Sequence, residues 1–577
     1  MTAGPRSTPP SAASAADVDV SRPDGPVPTL APLRVKAYRR IWGAAVVSHL
    51  GTFLQMTAAP WLMFELTGSP FLVSLVTAFL LLPRLLLTLP AGALADVVDR
   101  RTLLIVGNLV SGAAVTAMAI LAAMDLLGPT LLLVLTLVLG SGTALAMPAF
   151  QTLIPDLVPR PLLPQAITLN SGAFNVARAV GPAIGGLLVA GGLVAFSFGA
   201  NAVSFLFVVG VLLTFPRDDV DAVVGSRRHL LRATAIGVRY ARFTPAIRIL
   251  LVVTAGFTLT AASVQALLAP ASEELGLGGL GYGVLWGCMG VGALVGVGTR
   301  ERARLVLGAR MVPGSIVLFG VGGIAVGLAP SPEVAGVGML VAGVAWVWTL
   351  ITLNATVQLL APTWVRSRVV SIYALTVGLQ PIGAFLSGLL AEEIGSGRSI
   401  AVATAITLVL GIWAVRLDLP VLGEVEEPEP VGVPSPAPHR APGVPGGRVV
   451  VSTTYDVPED RTEEFLALMR RVRSIRRRTG ARRWQLHRDA LEPTRFTEHV
   501  EHAAWDEHVA QHARLEAADL AVLEAVHGLD RTGRPRTRHL SPVDLAAGGV
   551  GRDRAPSFRR GGRPWPAARD RRSRPRR

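Results

Sequence analysis

Long apolar segments occupy most of this sequence between residues 41 and 416. A helix that crosses the hydrocarbon core of a bilayer needs about 20 mostly apolar residues. Only 16% of the chain is charged, whereas a soluble domain carries about 25% charged residues. We therefore predict an all-α membrane region with twelve spanning helices, at 41–64, 71–95, 102–124, 129–152, 168–190, 193–215, 247–270, 278–299, 310–329, 334–357, 369–392 and 398–416.

Arginines occur in alternate connections between these segments. They follow the second, fourth, sixth, eighth and tenth segments, whereas the other connections contain acids and a single base, Arg398. Basic residues in short loops stay on the cytoplasmic side of a membrane. Lys36 is the single lysine, a bias typical of a GC-rich bacterial genome. We expect a multi-pass protein of the bacterial plasma membrane with both termini in the cytoplasm.

The membrane region divides into two related halves, 35–215 and 247–418, around a polar connector at 216–246. The stretch 150–190 resembles 357–392: in each, Gln-x-x-x-Pro ends one segment, an arginine-bearing turn follows, and a glycine-rich segment ends in Gly-Leu-Leu. Paired repeats of this kind are typical of secondary transporters. A G-x-x-x-x-G-K-[ST] loop for ATP is absent from the sequence, which argues against an ATP-driven pump.

Polar side chains within the spans are the candidate substrate path. Arg178 either lines a cavity or forms a structural pair, Arg84 either lines a cavity or belongs to a local kink at Pro83, and His49 is more typical of a neutral hydrogen-bonded histidine. No Asp or Glu stands at mid-membrane depth. Apolar walls with scattered amides suit a lipophilic or amphipathic organic substrate. The amide candidates are Gln55, Asn170, Asn175, Asn201, Gln265, Asn354, Gln358 and Gln380.

Small residues mark where helices approach closely. They are Gly181, Pro182, Gly185 and Gly186 in the fifth span and Gly383 and Gly388 in the eleventh. Tight packing accounts for them, and helices without Cβ atoms at the contact are also able to slide on each other.

The charged stretch at 91–106 interrupts two apolar segments. We predict a conformational latch formed by Gly92, Asp96, Arg100 and Arg101. A carboxylate is stabilised near the first turn of a helix, so Asp96 is expected to hold the start of the eleventh span in one state of the cycle. The alternative is that these charges only set topology, which accounts for Arg100 and Arg101.

These residues carry a resemblance to the major facilitator superfamily. Gly92-Ala-Leu-Ala-Asp96-x-x-x-Arg100-Arg101 resembles its loop motif, with Val97 and Asp99 where Arg and Gly are common. "GPAIGG" at 181–186 resembles a Gly-Pro motif of antiporters. "LNSGAFNVARAVGPAIGGLLV" and "PWLMFELTGS" resemble the enterobactin-exporter and macrolide-efflux-like branch. Over residues 35–420, the resemblance implies alternating access and proton-coupled export of small organic molecules such as drugs or siderophores.

The remaining chain is predicted to be partly soluble. We expect disorder at 1–34, where no signal-peptide core is present, a Pro-rich linker at 419–447 and a basic disordered tail at 543–577. Between them, 448–542 has a β-α-β-β-α-β pattern, which is ferredoxin-like α+β. It resembles small monooxygenase-like domains, which pair into dimeric barrels, and this implies a homodimer. The basic tail lacks an aromatic-interleaved patch, so a nucleic-acid partner is not expected.

Histidines in this domain raise the question of a metal site. Strand alternation places His499 and His502 on opposite faces, and His508 and His512 share a helix face without an evident third ligand. The single cysteine, Cys288, allows neither an intrachain disulfide nor a cysteine cluster. We predict no metal, no cofactor and no catalytic residue. The alternative is a membrane-anchored sensor or monooxygenase-like enzyme, but a tether needs only one span.

Overall fold

The computed structural model describes residues 28–95, 98–215, 227–417, 419–420 and 448–540. A helix lies over each of the first six predicted segments. Proline begins several of them, and Gly68, with φ +63°, ends the first. The helices are α1 Lys36–Thr67, α2 Pro70–Ala95, α3 Arg100–Ala123, α4 Pro129–Leu157, α5 Leu163–Ala190 and α6 Val194–Leu213. We refer to α1–α6 as the first half.

The second half follows a connector helix, α7 Arg227–Phe243. Two predicted spans are interrupted: the seventh continues into a short helix, and the eleventh breaks before Pro381, which cannot donate a backbone hydrogen bond. The helices of the second half are α8 Pro245–Ala266, α9 Leu268–Glu274, α10 Gly278–Leu307, α11 Met311–Gly327, α12 Pro332–Leu360, α13 Arg366–Val377, α14 Gln380–Ile394 and α15 Ser396–Val415.

Ten stretches of the described residues are long and apolar enough to cross a membrane. One of them, Gly278–Gly327, contains both α10 and α11. Helix α1 is not among the ten, because polar residues such as Ser48, His49 and Gln55 lower the mean hydropathy along its length. The fold is therefore a mostly helical membrane bundle, and the count of twelve crossings stays a prediction.

The halves pack against each other through two helix pairs, α5 on α10 and α2 on α14. We call the end of the bundle that carries α7 the connector end and the other the opposite end. Gly186 packs on Gly283, and Gly388 packs on Ser74. Because α5 ends, and α10 begins, away from α7, these contacts lie towards the opposite end of the bundle.

The C-terminal residues form a small antiparallel sheet covered on one face by helices. The strands and helices are β1 Val449–Asp456, α16 Thr462–Thr479, β2 Arg483–Arg488, β3 Arg495–His502, α17 Trp505–His512, α18 Ala517–His527 and β4 Arg536–Leu540. The strand order is β2-β3-β1-β4, with Val451 paired to Val500. Alternate residues of β1 and β3 are buried, and the buried core includes Tyr455, Phe465 and Phe496.

Two details of this part of the chain differ from the prediction. The single helix expected after Trp505 is divided, because Glu516 and Asp519 form a capping box that begins α18 anew. Residues Ala31–Arg34, expected to be disordered, form a 3-10 helix in which Pro32 is buried. The predicted linker, the basic tail and residues 1–27 lie outside the described residues, apart from 419–420.

Candidate functional site

A small cavity lies between the two halves. Helices α1, α2 and α4 contribute one wall, and α8 and α10 contribute the other. Its lining is mostly apolar, with two carboxamides, two threonines and one indole among the residues Gln55, Met56, Ala59, Pro60, Val76, Thr77, Leu80, Thr136, Leu139, Gln265 and Trp286. Such a lining suits an organic molecule with a large apolar surface and few polar groups.

Gln55 is fixed by a polar network inside the first half. Asn201 donates its side-chain N–H to Gln55 Oε1, and Gln55 Nε2 lies 3.3 Å from Met118 Sδ. Ser204 in turn donates to Asn201 Oδ1 at 3.0 Å. Gln55 and Asn201 are both buried. Because a buried amide needs partners, this network holds the Gln55 side chain in one orientation at the cavity wall.

The structure brings together two of the predicted path residues, Gln55 from the first half and Gln265 from the second. It adds Trp286, which is 5% exposed and which we did not predict. Trp286 lies in the glycine-rich α10, where an isolated indole between small residues is a detectable signal. The other predicted path residues are not among those that line this cavity.

Arg178 reaches from the first half to the second. Its guanidinium carbon lies 5.7 Å from the ring centroid of Trp346 on α12. Trp346 packs on Phe257 and Phe319, at centroid distances of 5.6 and 6.0 Å, and both phenylalanines are fully buried. A cation over an indole face is stabilised by the ring quadrupole. Arg178 therefore lies on an aromatic platform that belongs to the other half.

Two of the remaining basic candidates have distinct surroundings. His49 meets the ring of Phe174 edge-on at 5.2 Å, and its Nε2 is buried without a hydrogen-bond partner. Arg84 has an exposed side chain. Helix α2 continues through Pro83, so the described helix does not end at the proline next to Arg84.

The remaining amide candidates serve mainly their own helices. Asn175 donates to the Ser171 carbonyl at 2.8 Å, and Gln358 donates to Asn354 Oδ1 at 2.5 Å. Asn170 is half-buried. Gln380 is the first residue of α14, directly after the break in the eleventh predicted span.

The predicted small residues lie at close helix contacts. A Cβ on Gly181 would lie 2.6 Å from Phe53 Cβ, and one on Gly185 would lie 3.0 Å from Thr57 Cβ, so α5 packs tightly on α1. A Cβ on Gly283 would lie 2.9 Å from the Pro182 carbonyl oxygen. A Cβ on Gly383 would overlap the Leu259 carbonyl of α8. Together with the Gly186 and Gly388 contacts, these positions bring α5 and α14 to helices of both halves.

The predicted latch is only partly described. Asp96 lies outside the described residues, as do the surroundings of Gly92. Asp99 caps α3, because its Oδ2 accepts the Thr102 N–H at 2.9 Å. Arg101 donates from Nε to the Leu212 carbonyl at 2.8 Å, at the C-terminus of α6. Arg101 therefore joins α3 to α6 within the first half, and the latch stays a prediction. Arg100 is half-buried.

Carboxylates cap helices at the opposite end of the bundle. Glu392, near the end of α14, accepts hydrogen bonds from Ser69 Oγ and, at 3.1 Å, from the Phe71 N–H in the first turn of α2. This contact joins the two halves. A carboxylate is stabilised at a helix N-terminus, so Glu392 performs at this end the role that the sequence suggested for Asp96 at the other.

The C-terminal domain is docked on the connector end. Arg239 of α7 donates from Nη1 to the carbonyl oxygens of Gly480 and Ala481, at 2.8 and 3.0 Å. Arg514 lies over the Trp364 ring at 4.6 Å, and Arg477 lies over Phe243 at 5.4 Å. Three arginines therefore join the domain to the membrane bundle.

A histidine cluster lies behind this contact, and sequence reasoning found only part of it. His508 and His539 have their Nε2 atoms 3.0 Å apart, and the His508 ring lies 5.1 and 5.0 Å from those of His502 and His512. His502 is fully buried, and neither of its ring nitrogens has a hydrogen-bond partner. Burial, together with the neighbouring histidines, lowers the pKa of His502 and of His508 to about 3. Within the described ranges, no three His, Cys, Asp or Glu side chains are placed to hold a metal ion.

Solved structures share this fold of the membrane bundle. A bacterial homologue of the human lysosomal transporter Spinster, in an inward-facing and unoccupied conformation, aligns with a TM-score of 0.51 and 16% identity over 68% of this chain and 96% of that chain. A D-xylose–proton symporter aligns with a TM-score of 0.51 and 14% identity over 66% and 98%. The fold is that of the major facilitator superfamily of transporters.

The chain belongs to the transmembrane secretion effector family, whose model matches residues 27–544. This is a family of transporters and not of enzymes. The chain is 29% identical to the multidrug efflux pump Tap of Mycolicibacterium fortuitum, over 65% of this chain and 94% of that protein. It is 26% identical to the staphyloferrin A transporter of Staphylococcus aureus, over 30% of this chain and 44% of that protein.

Proposed function

We propose that this protein is a secondary active exporter that moves small lipophilic or amphipathic organic molecules, such as drugs or siderophores, across a bacterial plasma membrane. The observation that carries the proposal is the cavity between two helical halves that meet at one end. Two halves that rock about a shared cavity expose it to each side of the membrane in turn. The efflux pump and the siderophore transporter among the relatives support export of this class of molecule.

The arginine distribution supports a cytoplasmic location for the connector end and for both termini. In that orientation, the contacts of Gly186 with Gly283 and of Glu392 with Phe71 close the outer side of the bundle. The described structure then corresponds to a state that is closed to the outside. Asp96 would hold the cytoplasmic ends of the halves together in the opposite state.

Proton entry is the proposed driving reaction. The "GPAIGG" motif at 181–186 resembles that of antiporters, and the bundle needs an ion gradient because the sequence lacks a nucleotide-binding loop. The resemblance to the enterobactin-exporter and macrolide-efflux-like branch supports the same mechanism.

We propose an accessory role for the C-terminal domain, by regulation or by pairing with a second copy. Its sequence resembles monooxygenase-like domains that form dimers. Its docking through Arg239 supports a role that is linked to the membrane bundle.

Everted membrane vesicles test the proposal. We expect uptake of members of a drug and siderophore panel when a pH gradient is imposed, and loss of uptake when the gradient is collapsed. Deletion of residues 448–577 should leave uptake measurable if the domain is accessory. Uptake that ignores the gradient, or that is absent for the whole panel, would contradict the proposal.

A further inference from the structure

The middle of the described bundle helices contains basic side chains but no Asp or Glu. The acids of these helices lie close to helix ends; the deepest, Glu301, is within the last two turns of α10. His49, Arg84 and Arg178, by contrast, lie well inside α1, α2 and α5. Of these three, Arg178 is the one that contacts the other half, so it places a positive charge where the halves meet.

Arg178 is the base at the contact between the halves. It is half-buried, and among the described residues it has no ion pair. Within the described part of the chain, its guanidinium contacts the face of Trp346, which is 7% exposed. Taking a guanidinium out of water is costly unless an anion accompanies it. The aromatic platform replaces part of that hydration and leaves the five donors of the guanidinium available for an anion.

Arg178 also lies next to the cavity wall. The backbone of Arg178 and Ala179 packs directly on Gly290 of α10, where a Cβ would lie 2.7 Å from the Arg178 carbonyl oxygen. The cavity-lining Trp286 stands one helical turn before Gly290 on the same helix. The backbone of Arg178 therefore contacts α10 one helical turn from the cavity-lining Trp286.

We propose that Arg178 binds the anionic group of the transported molecule, so that the substrates are amphipathic organic anions whose apolar part occupies the cavity beside Trp286. This inference rests on the proposed function, because it takes the bound molecule to be the one that the protein exports. A guanidinium presents parallel N–H donors that match a carboxylate or phosphate. An organic cation meets the repulsion of Arg178 and finds no acid in the middle of the spans, so it is the disfavoured class.

Binding of three matched probes to the full-length protein in detergent tests the charge preference. The probes share a naphthalene ring and carry a carboxylate, a neutral amide or a quaternary ammonium: naphthylacetate, naphthylacetamide and naphthylmethyl-trimethylammonium. We expect naphthylacetate to bind at least tenfold more tightly than the ammonium probe. Arg178→Gln should lower the affinity for naphthylacetate at least tenfold and leave that for the amide within twofold, while Arg178→Lys keeps part of the preference.

Arg398→Gln is the matched control, because it removes the same charge from an exposed position at the start of α15. It should leave all three affinities unchanged. The proposal is overturned if naphthylacetate does not bind, if the ammonium probe binds as tightly, or if Arg178→Gln binds naphthylacetate as the wild type does. Size-exclusion profiles and the unchanged amide affinity show that the variant is folded.

The same variants in everted vesicles separate this inference from the proposed function. Arg178-dependent binding of naphthylacetate without gradient-driven uptake of any compound would support the anion site and contradict export. Uptake of cationic or neutral drugs that Arg178→Gln leaves intact would support export and contradict the anion site.

Discussion

Arg239 on the connector helix donates two hydrogen bonds to the C-terminal end of α16, and the nearer one joins its Nη1 to the Gly480 carbonyl oxygen at 2.8 Å. The C-terminus of a helix carries partial negative charge and unpaired carbonyl groups, which a guanidinium satisfies. The membrane bundle thus supplies a capping residue to a helix of the soluble domain. Desolvation lowers the pKa of Arg239, and nearby Glu507 opposes that effect.

We expect Arg239→Gln to loosen the docking of the C-terminal domain. A hydrogen bond to a charged group contributes about 1.5–3 kcal/mol, so the contact should weaken at least tenfold. Hydrogen exchange of residues 476–482 in the full-length protein measures this. Arg242→Gln is the control: Arg242 is exposed on the same helix and its charge only repels Arg477. Equal protection in wild type and Arg239→Gln would contradict the role of Arg239.

Gly186 should tolerate no side chain. Its Cα packs on that of Gly283 in the other half, so Gly186→Ala must push α5 and α10 apart. Overpacking of this kind costs about 1–3 kcal/mol, and we expect a lower unfolding temperature together with impaired uptake. Gly172→Ala on the same helix has nothing within 4 Å of the added atom, and it should be neutral or slightly stabilising. Identical effects of the two substitutions would show that the close contact is unimportant.

Glu392 should favour the state in which the opposite end is closed. Its carboxylate accepts hydrogen bonds from Ser69 and Phe71, which belong to the other half. Glu392→Gln keeps the size but removes the charge that the N-terminus of α2 favours. In the Glu392→Gln variant, we expect faster labelling of a cysteine placed at Ser74, because the Ser74 side chain packs against Gly388 at this end of the bundle. Glu393 is exposed and adjacent, so Glu393→Gln should leave the labelling rate at its wild-type value.

Gln55 should be needed for stability as well as for the cavity wall. Gln55→Leu removes the acceptor of the buried Asn201 amide, and a buried donor left without a partner costs about 1–3 kcal/mol. Thermal unfolding in detergent checks this value. Gln358→Leu serves as the comparison, because exposed Gln358 bonds only to Asn354 on its own helix. A Gln55→Leu variant as stable as Gln358→Leu would refute the network.

The histidine cluster should make the C-terminal domain sensitive to acid. The pKa of His502 and of His508 is about 3 in the folded domain, below the ordinary value of about 6.5. The unfolded chain therefore binds more protons, and the stabilisation is complete above about pH 6.5 and lost as the pH falls towards 3. Each histidine contributes about 1.4 kcal/mol per pH unit in that window.

Pulse proteolysis of the full-length protein between pH 7.5 and 5 measures this slope. His502→Leu should lower the slope by about one proton equivalent. His487 lies on the exposed face of the sheet, so His487→Gln should leave the slope unchanged. A domain equally resistant at both pH values would show that the folded and unfolded states bind the same number of protons, and would contradict the lowered pKa values.

Periodic features of this chain were predictable, whereas pairings between distant residues were not. Apolar segments, glycine-rich contacts and strand alternation each repeat along the sequence, so the helix positions and the opposite faces of His499 and His502 could be predicted. The partnership of Gln55 with Asn201, and of His508 with His539, joins residues far apart in sequence that no local pattern connects.

The charged loop shows the same distinction. Asp96, predicted to act between the halves, lies outside the described residues, whereas the neighbouring Asp99 caps its own helix, a role that its position immediately before α3 indicates. Trp286 could have been found from its glycine surroundings, because a lone indole there has space around it. That Trp286 and Gln55 line the same cavity depends on how the two halves pack against each other. The sequence of one half carries no local pattern that predicts this packing.

The connector helix is bound on both sides: Gly237 packs against Arg368 of α13, and Arg239 holds α16. Through these contacts, the soluble domain is attached to the second half. If the halves tilt during each turnover, the domain moves with the second half as one rigid body. A pair of fluorophores, one on the domain and one on the first half, would then report each transport cycle as a change in distance.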